Sequence, residues 1–114
     1  MKDCVFCRIA RREIPAKIVS ETDRILAFRD LNPQAPTHVL LVPKEHVASV
    51  NDLAPAHAGL VGELVLAARE IAAAEGVSES GYRLVLNVGA GAGQSVFHVH
   101  LHLLGGRNFG WPPG

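Results

Sequence analysis

Apolar positions recur along this chain with two periods, and the changes between them divide it into elements. Val5, Phe6 and Ile9 make a short helical stripe over residues 3–12, with Asp3 placed to cap it. Ile14-Pro15 ends that helix, because a residue preceding proline avoids the helical region. Two short β-like runs follow at 17–20 and 25–28, separated by the polar turn Glu21-Thr22-Asp23. Asn32-Pro33-Gln34-Ala35-Pro36 is a rigid loop, and 38–43 is a continuous apolar run of the kind found in a central strand. From 51 to 74 the period becomes helical: Leu60, Leu64, Ala67 and Ile71 form the stripe, widened by Val61, Val65 and Ala68. Asn51 or Asp52 is placed to cap this helix, Pro55 suits its first turn, and Gly76 suits its C-terminal end. Gly59 and Gly62 each cost about 0.5–1 kcal/mol inside a helix, a cost that makes sense where another backbone approaches. Residues 82–88 and 96–104 read as two further strands. The order αβββαββ lacks strand–helix–strand alternation, so it predicts a single α+β domain over 1–114, with a five-stranded antiparallel sheet and two helices.

The last strand-like run carries the chemistry. In His98-Val99-His100-Leu101-His102-Leu103-Leu104 the histidines alternate with apolar residues, which on a strand places three imidazoles on one face. Three such bases are too polar to serve as packing. Just upstream, Val88-Gly89-Ala90-Gly91-Ala92-Gly93-Gln94-Ser95 is a glycine-rich run whose amides can approach an anion. It lacks the lysine of a nucleotide-triphosphatase phosphate loop, which rejects that reading. One metal ion held by all three histidines is disfavoured, since they span roughly 13 Å on a strand and metal–nitrogen bonds are about 2 Å long.

A neutral imidazole is also a nucleophile toward phosphorus when its second nitrogen keeps its proton on an acceptor. His100, flanked by His98 and His102, suits that position, with Ser95 and the amides of Gly93 and Gln94 near the phosphate. His57, on an exposed turn, reads as a structural histidine.

Composition narrows the partners. Eleven basic and eleven acidic residues cancel, which excludes a broad basic footprint for nucleic acid. Arg8, Arg11 and Arg12 read as a solvated helix face. No apolar run reaches the ~18–20 residues of a membrane span, and the polar N-terminus lacks the core of a signal peptide. The expectation is a soluble cytoplasmic protein that binds neither nucleic acid nor membrane. In a reducing compartment Cys4 and Cys7 form half of a metal site more readily than a structural disulfide. Trp111, in the irregular tail, is costly to leave in water, and a partner surface would explain it.

These motifs carry a family resemblance. His98 to Leu104 resembles the signature of the histidine triad (HIT) superfamily. Glu13-Ile14-Pro15-Ala16-Lys17, Asp30, Pro33 to His38, Val42-Pro43-Lys44, Gly93-Gln94-Ser95-Val96 and the closing Trp-Pro-Pro-Gly are similar to its Hint branch. The related dinucleoside-polyphosphate hydrolases of the Fhit type usually have proline where this chain has Gly105.

The resemblance implies the HIT-like fold and a purine nucleoside phosphoramidase acting through a nucleotidyl-histidine, with no cofactor in the chemistry. It makes His100 the nucleophile, gives His98 and His38 the task of orienting it, and sets His102 and Ser95 at the phosphate and leaving amine. Asn87 matches the position near phosphate and ribose, and Asp30 the ribose-binding carboxylate. Phe6, Ile9, Ile14, Phe28 and Leu31 would wall the base, with Gly93, Gln94 and Val96 beside the phosphate. Arg29 stands where some relatives have histidine.

The resemblance also implies a homodimer joined into one ten-stranded sheet, which would account for Gly59 and Gly62 and bring Trp111 toward the partner's site. Some bacterial relatives hold a structural zinc with a C-x-x-C pair and two histidines; the matching set here is Cys4, Cys7, His46 and His98. The alternatives are hydrolysis of diadenosine polyphosphates, and a nucleotide-binding module with vestigial catalysis.

Overall fold

The computed structural model describes residues 3–114; Met1 and Lys2, part of the polar N-terminus noted above, lie outside the described residues. Helix α1 (Val5–Ala10) precedes strands β1 (Ile18–Glu21), β2 (Ile25–Arg29) and β3 (Thr37–Pro43). Helix α2 (Ala58–Ala74), strand β4 (Tyr82–Val85) and strand β5 (Leu101–Gly105) complete the chain. The sheet is antiparallel throughout, in the order β1-β2-β3-β5-β4. The α+β class, five antiparallel strands and two helices agree with the sequence.

The continuous apolar runs have a simple cause. Alternate residues of the central strands enter two different cores, so both faces must be apolar. Ile25, Ala27, Val39, Leu41, Leu101 and Leu103 pack beneath Leu60, Leu64, Ala68, Ile71 and Ala72 of α2. On the other face Leu26, Phe28, Leu40 and Val42 pack against Phe6 and Ile9 of α1. Each fully buried aliphatic side chain contributes about 1.5–3 kcal/mol. Gly105 closes β5 because a side chain there would meet Val77: a Cβ would lie 3.0 Å from three of its atoms. Gly76 follows α2 at φ +76°, the left-handed turn that ends the helix.

Several boundaries differ from the sequence reading. Cys4, not Asp3, caps α1, its sulfur accepting from the Cys7 amide at 3.4 Å. The run 51–74 becomes helical only at Ala58. Before it, Val50–Asp52 and Pro55–His57 form two 3₁₀ turns. Pro55 forces Ala54 out of the helical region, and Ser49 caps the first turn by accepting from Asn51. His57 is structural, accepting from the Ala54 amide and meeting Glu45 at 2.9 Å. Strand β4 stops at Val85 and β5 starts only at Leu101, so of the three histidines only His102 lies in a strand. The residues before it run beside the loop after β3, where the Val99 amide donates to the Val47 carbonyl at 2.7 Å. No helix among the described residues is long and apolar enough to cross a membrane.

Candidate functional site

The α1 side of the sheet carries the polar groups. The β3–β5 register sets Leu40 opposite His102 and His38 opposite Leu104, which brings His38 and His102 together on that face. His98 and His100 reach the same side although they precede the strand, while Val99 enters the α2 core. Phe6 props them, its ring meeting His98 at 5.9 Å, His100 at 5.1 Å and Phe28 at 5.5 Å between centroids. His100 and His102 lie 5.0 Å apart.

The hydrogen bonds fix every tautomer but one in this group. His100 Nδ1–H donates to the His98 carbonyl at 2.7 Å, so its Nε2 keeps a free lone pair. The Gln34 amide donates to His38 Nδ1 at 3.0 Å, which leaves the His38 proton on Nε2. That Nε2–H donates to His102 Nδ1 at 2.9 Å, so His102 carries its own proton on Nε2. His98 Nε2–H donates to the Pro43 carbonyl at 2.7 Å, leaving the lone pair on Nδ1. His46, which meets Cys7 Sγ and His98 Nδ1, is the one left open. Burial, with smaller contributions from His100 and His38, pushes His102 down to about 4 against the opposing pull of Asp30. Burial lowers His38 and His98 as well. These three imidazoles are therefore neutral near pH 7, each with one donor and one acceptor.

His100 and His102 line a pocket of about 310 Å³, together with Asp30, Ser95 and Val96. Its apolar wall is Phe6, Ile9, Ile14 and Phe28, with the exposed Leu31 also on its lining. Asp30 faces it with Oδ1 holding the Asn32 amide at 2.8 Å and Oδ2 3.5 Å from His38 Nε2. Arg29 also lines the pocket, but its guanidinium is bound by Glu75, the C-cap of α2, at 2.5 and 3.0 Å.

The glycine-rich run differs from expectation. The Ala92, Gly93 and Gln94 amides donate to the carbonyls of Gly89 and Ala90, so they are spent inside the loop. The Gln94 side chain is buried and fully used: Oε1 accepts from Gly89, and Nε2 donates to the Ala48 and Val96 carbonyls. Gly93 and Gln94 thus shape the loop that presents Ser95, rather than cradling an anion. Asn87 and Trp111 do not line the pocket within one chain, and Trp111 is 84% exposed. His38 and His98 stand behind the pocket, not in its wall. His98 meets His100 as expected, through its carbonyl, whereas His38 orients His102 rather than His100. Pro43, Gln34 and the prop Phe6 were missed in these supporting roles, and for the two backbone groups no side-chain signal exists to find.

Two clusters bring metal-binding residue types together, and the hydrogen bonds separate them. Cys4, Cys7, His46 and His98 offer ligand atoms that all lie within 4.8 Å of one another. His98 Nδ1 is 3.2 Å from Cys4 Sγ, 3.5 Å from Cys7 Sγ and 3.1 Å from His46 Nδ1, and Cys7 Sγ is 3.4 Å from His46 Nδ1. Bonds of about 2.3 Å to sulfur and 2.0–2.1 Å to nitrogen give tetrahedral edges of about 3.3–3.8 Å, so this donor set fits a zinc ion. His98 already donates its other ring proton to a carbonyl, the usual orienting bond of a metal-ligating histidine. Asp30, His38 and His102 also lie within 4.8 Å. There, however, ligation through His38 Nε2 would require a proton on Nδ1, which already accepts from Gln34. That second cluster fits a hydrogen-bond chain and not a cation.

With this geometry in view, relatives become informative. A family model described as "HIT domain" matches residues 11–109. The chain belongs to the HIT family. It is 46% identical over 109 residues to the purine nucleoside phosphoramidase of Escherichia coli K12, covering 96% of this chain and 92% of that one. It is 52% identical to an uncharacterized HIT-like protein of Synechococcus elongatus, over 99% of this chain and 98% of that protein. Among solved structures it superposes on a HIT family hydrolase from Legionella pneumophila with a TM-score of 0.97 at 55% identity, covering 98% of this chain and 100% of that one. A HIT family hydrolase from Clostridium thermocellum gives 0.94 at 46% identity, with 96% of each chain covered. The chain thus shares its family and its fold with proteins named as hydrolases.

The low value of His102 has a consequence for stability. In the unfolded chain His102 takes up a proton near pH 6.5, whereas in the fold it stays neutral down to about 4. Between those values the unfolded state binds more protons, so stability falls as pH drops through this window. The lowered His38 acts in the same direction. Urea melts across this range should show that decline, and an NMR titration should place the His102 midpoint far below 6.5; a normal midpoint with flat stability would refute the burial argument.

Proposed function

We propose that this HIT-family chain cleaves purine nucleoside 5′-monophosphoramidates through a covalent nucleotidyl-histidine. The observation that carries the reading is His100: its Nδ1 proton is held by a carbonyl, its Nε2 lone pair is free, and it lines an apolar pocket beside a carboxylate. The base packs against Phe6, Ile9, Ile14, Phe28 and Leu31, and Asp30 accepts from the ribose hydroxyls. His100 Nε2 attacks phosphorus as the bond to the leaving amine breaks. The amine keeps the bonding pair and takes a proton from water, relayed by the Ser95 hydroxyl. His102 Nε2–H, held outward by His38, donates to a non-bridging oxygen, with Val96 packed beside it. The hydroxide left by that water then attacks phosphorus, the bond from His100 Nε2 to phosphorus breaks, and His100 recovers its lone pair. The 46% identity to a purine nucleoside phosphoramidase supports this substrate class. No cofactor takes part in the chemistry.

Three further assignments belong to this reading. Cys4, Cys7, His46 and His98 hold a structural zinc, which when bound supplies a fixed tetrahedral clamp between α1 and the segment before β5. Thiols kept reduced for that purpose suit a cytoplasmic location. The chain forms a homodimer through α2 and the free edge of β4, making one ten-stranded sheet. Support comes from the exposed Gly59, Gly62, Val65 and Leu66 on α2, with open space where a Cβ would stand at both glycines. In that dimer Trp111 and Asn87 would act at a pocket completed by the partner.

Replacing His100 by alanine should lower turnover of an AMP phosphoramidate by at least about 10³-fold while AMP binding persists. Quenched wild-type enzyme should carry an AMP adduct on His100; near-normal turnover of the variant sinks the nucleophile, and a faster reaction with diadenosine polyphosphates overturns the substrate class. Elemental analysis of protein purified without added metal should give close to one zinc per chain, and freely titrating thiols without zinc would refute the clamp. Light scattering should report twice the chain mass, a monomer being the contrary result.

A further inference from the structure

His98 is fully buried and committed in three directions. Its Nε2–H holds the Pro43 carbonyl, its Nδ1 faces both thiols and His46, and its carbonyl holds the Nδ1 proton of His100. The same residue thus joins the cysteine cluster to the imidazole that lines the nucleotide pocket. The two sulfurs lie on one helical turn, within 4.8 Å of each other. They differ in access. Cys7 is buried, whereas Cys4 lines a separate hollow of about 420 Å³ with Asp3, Val5, His46, Ser95, Val96 and Phe97. Ser95 and Val96 stand between that hollow and the nucleotide pocket and line both.

We propose that Cys4 and Cys7 are positioning residues for His100, acting through His98, and that their oxidation to a disulfide releases this hold and slows the reaction. This rests on the reading of His100 as nucleophile. The Cys4 thiolate, reached through the hollow, attacks one sulfur of a small-molecule disulfide and expels its other half as a thiolate. The Cys7 thiol then attacks the Cys4 sulfur of the mixed disulfide, expels the second half, and gives its proton to that leaving thiolate. The two cysteines lose two electrons and the small disulfide gains them.

In the product each sulfur bonds the other at about 2.05 Å and must turn away from the imidazoles. His98 Nδ1 then loses both sulfur partners and keeps only His46 Nδ1, at 3.1 Å, in a fully buried place where lost partners are costly. The ring relieves that cost by reorienting, which disturbs the Pro43 bond and the carbonyl that holds His100. With zinc bound, both sulfurs would already be thiolates, no proton would move, and the ion would be released as the sulfurs pair; His98 Nδ1 loses a partner in either case.

The test uses the full chain, reduced or treated with oxidised glutathione, with the Cys4–Cys7 link checked by peptide mass. Nitrogen-15 NMR reads the His100 tautomer directly and needs no turnover, so it separates a failure of this inference from a failure of the proposed activity. The oxidised protein should lose the single Nδ1–H tautomer. Its kcat on an AMP phosphoramidate should fall about 10–100-fold, as for other orienting partners. KM should hold, and reduction should restore both signals. His46→Gln, which withdraws a cluster member without touching His100, should move the same resonances in the reduced state and guards against oxidation simply unfolding the chain. Unchanged His100 resonances in both the oxidised protein and His46→Gln would overturn the proposal, as would a KM change without a kcat change.

Discussion

The register between β3 and β5 is the constraint on which the site depends. Leu40 opposite His102 is one step of a ladder that also sets Val39 against Leu103 and Leu41 against Leu101. Because side chains alternate, a slip of one residue would carry His102 into the α2 core and expose Leu103 to the pocket. Val39, Leu41 and Leu103 are wholly buried, so that slip would forfeit the best-packed part of the molecule. The strong hydrophobic preference on one face thereby secures the placement of weakly stabilising polar groups on the other. Gly105, where β5 ends against Val77, marks the close fit at the end of the same ladder.

What makes the histidines chemically distinct is the backbone around them. Four imidazoles of similar intrinsic basicity stand within one cluster, yet each of them has a defined proton position. The Gln34 amide sets His38, which sets His102; the Pro43 and His98 carbonyls set His98 and His100. A carbonyl in a fully paired strand is spent on its neighbour. The late start of β5, at Leu101, leaves the His98 carbonyl available to His100, so the shortfall from the expected strand is itself part of the site. The same directions of donation separate the two metal-like clusters, which proximity alone would rank together.

Much of this fold is legible in the sequence because burial on two faces writes itself into residue type. The runs at 25–28 and 38–43 and the stripe through Leu60, Leu64 and Ile71 name the sheet centre and its covering helix. The pocket residues Asp30, Phe28, Phe6 and Ile9 are also legible, through the family motifs, and they meet at one place. Boundaries were less legible. Pro55 pointed to a helix start, but its effect on Ala54 produced two 3₁₀ turns instead. The run ending at Val88 has strand-like residues, yet β5 reaches only Val85 opposite His102 before turning away to Val47. The glycine-rich run misled most, since glycine permits an anion cradle and a tight internal turn equally well. The buried Gln94 side chain, with three bonds to the surrounding backbone, decides for the turn.

That outcome changes the electrostatics expected of the site. With the Ala92, Gly93 and Gln94 amides spent and Arg29 tied to Glu75, the described residues that line the pocket include no free cation. A phosphate bound there would meet neutral donors, and its charge would be balanced by dipoles and not by a counterion. Neutral donors held in place by a chain of hydrogen bonds lose little on reorganising as charge shifts. They also let go of an anionic product more readily than a buried guanidinium would. Under the proposed reading, a site assembled from neutral imidazoles asks for a phosphorus centre whose charge fixed dipoles can balance.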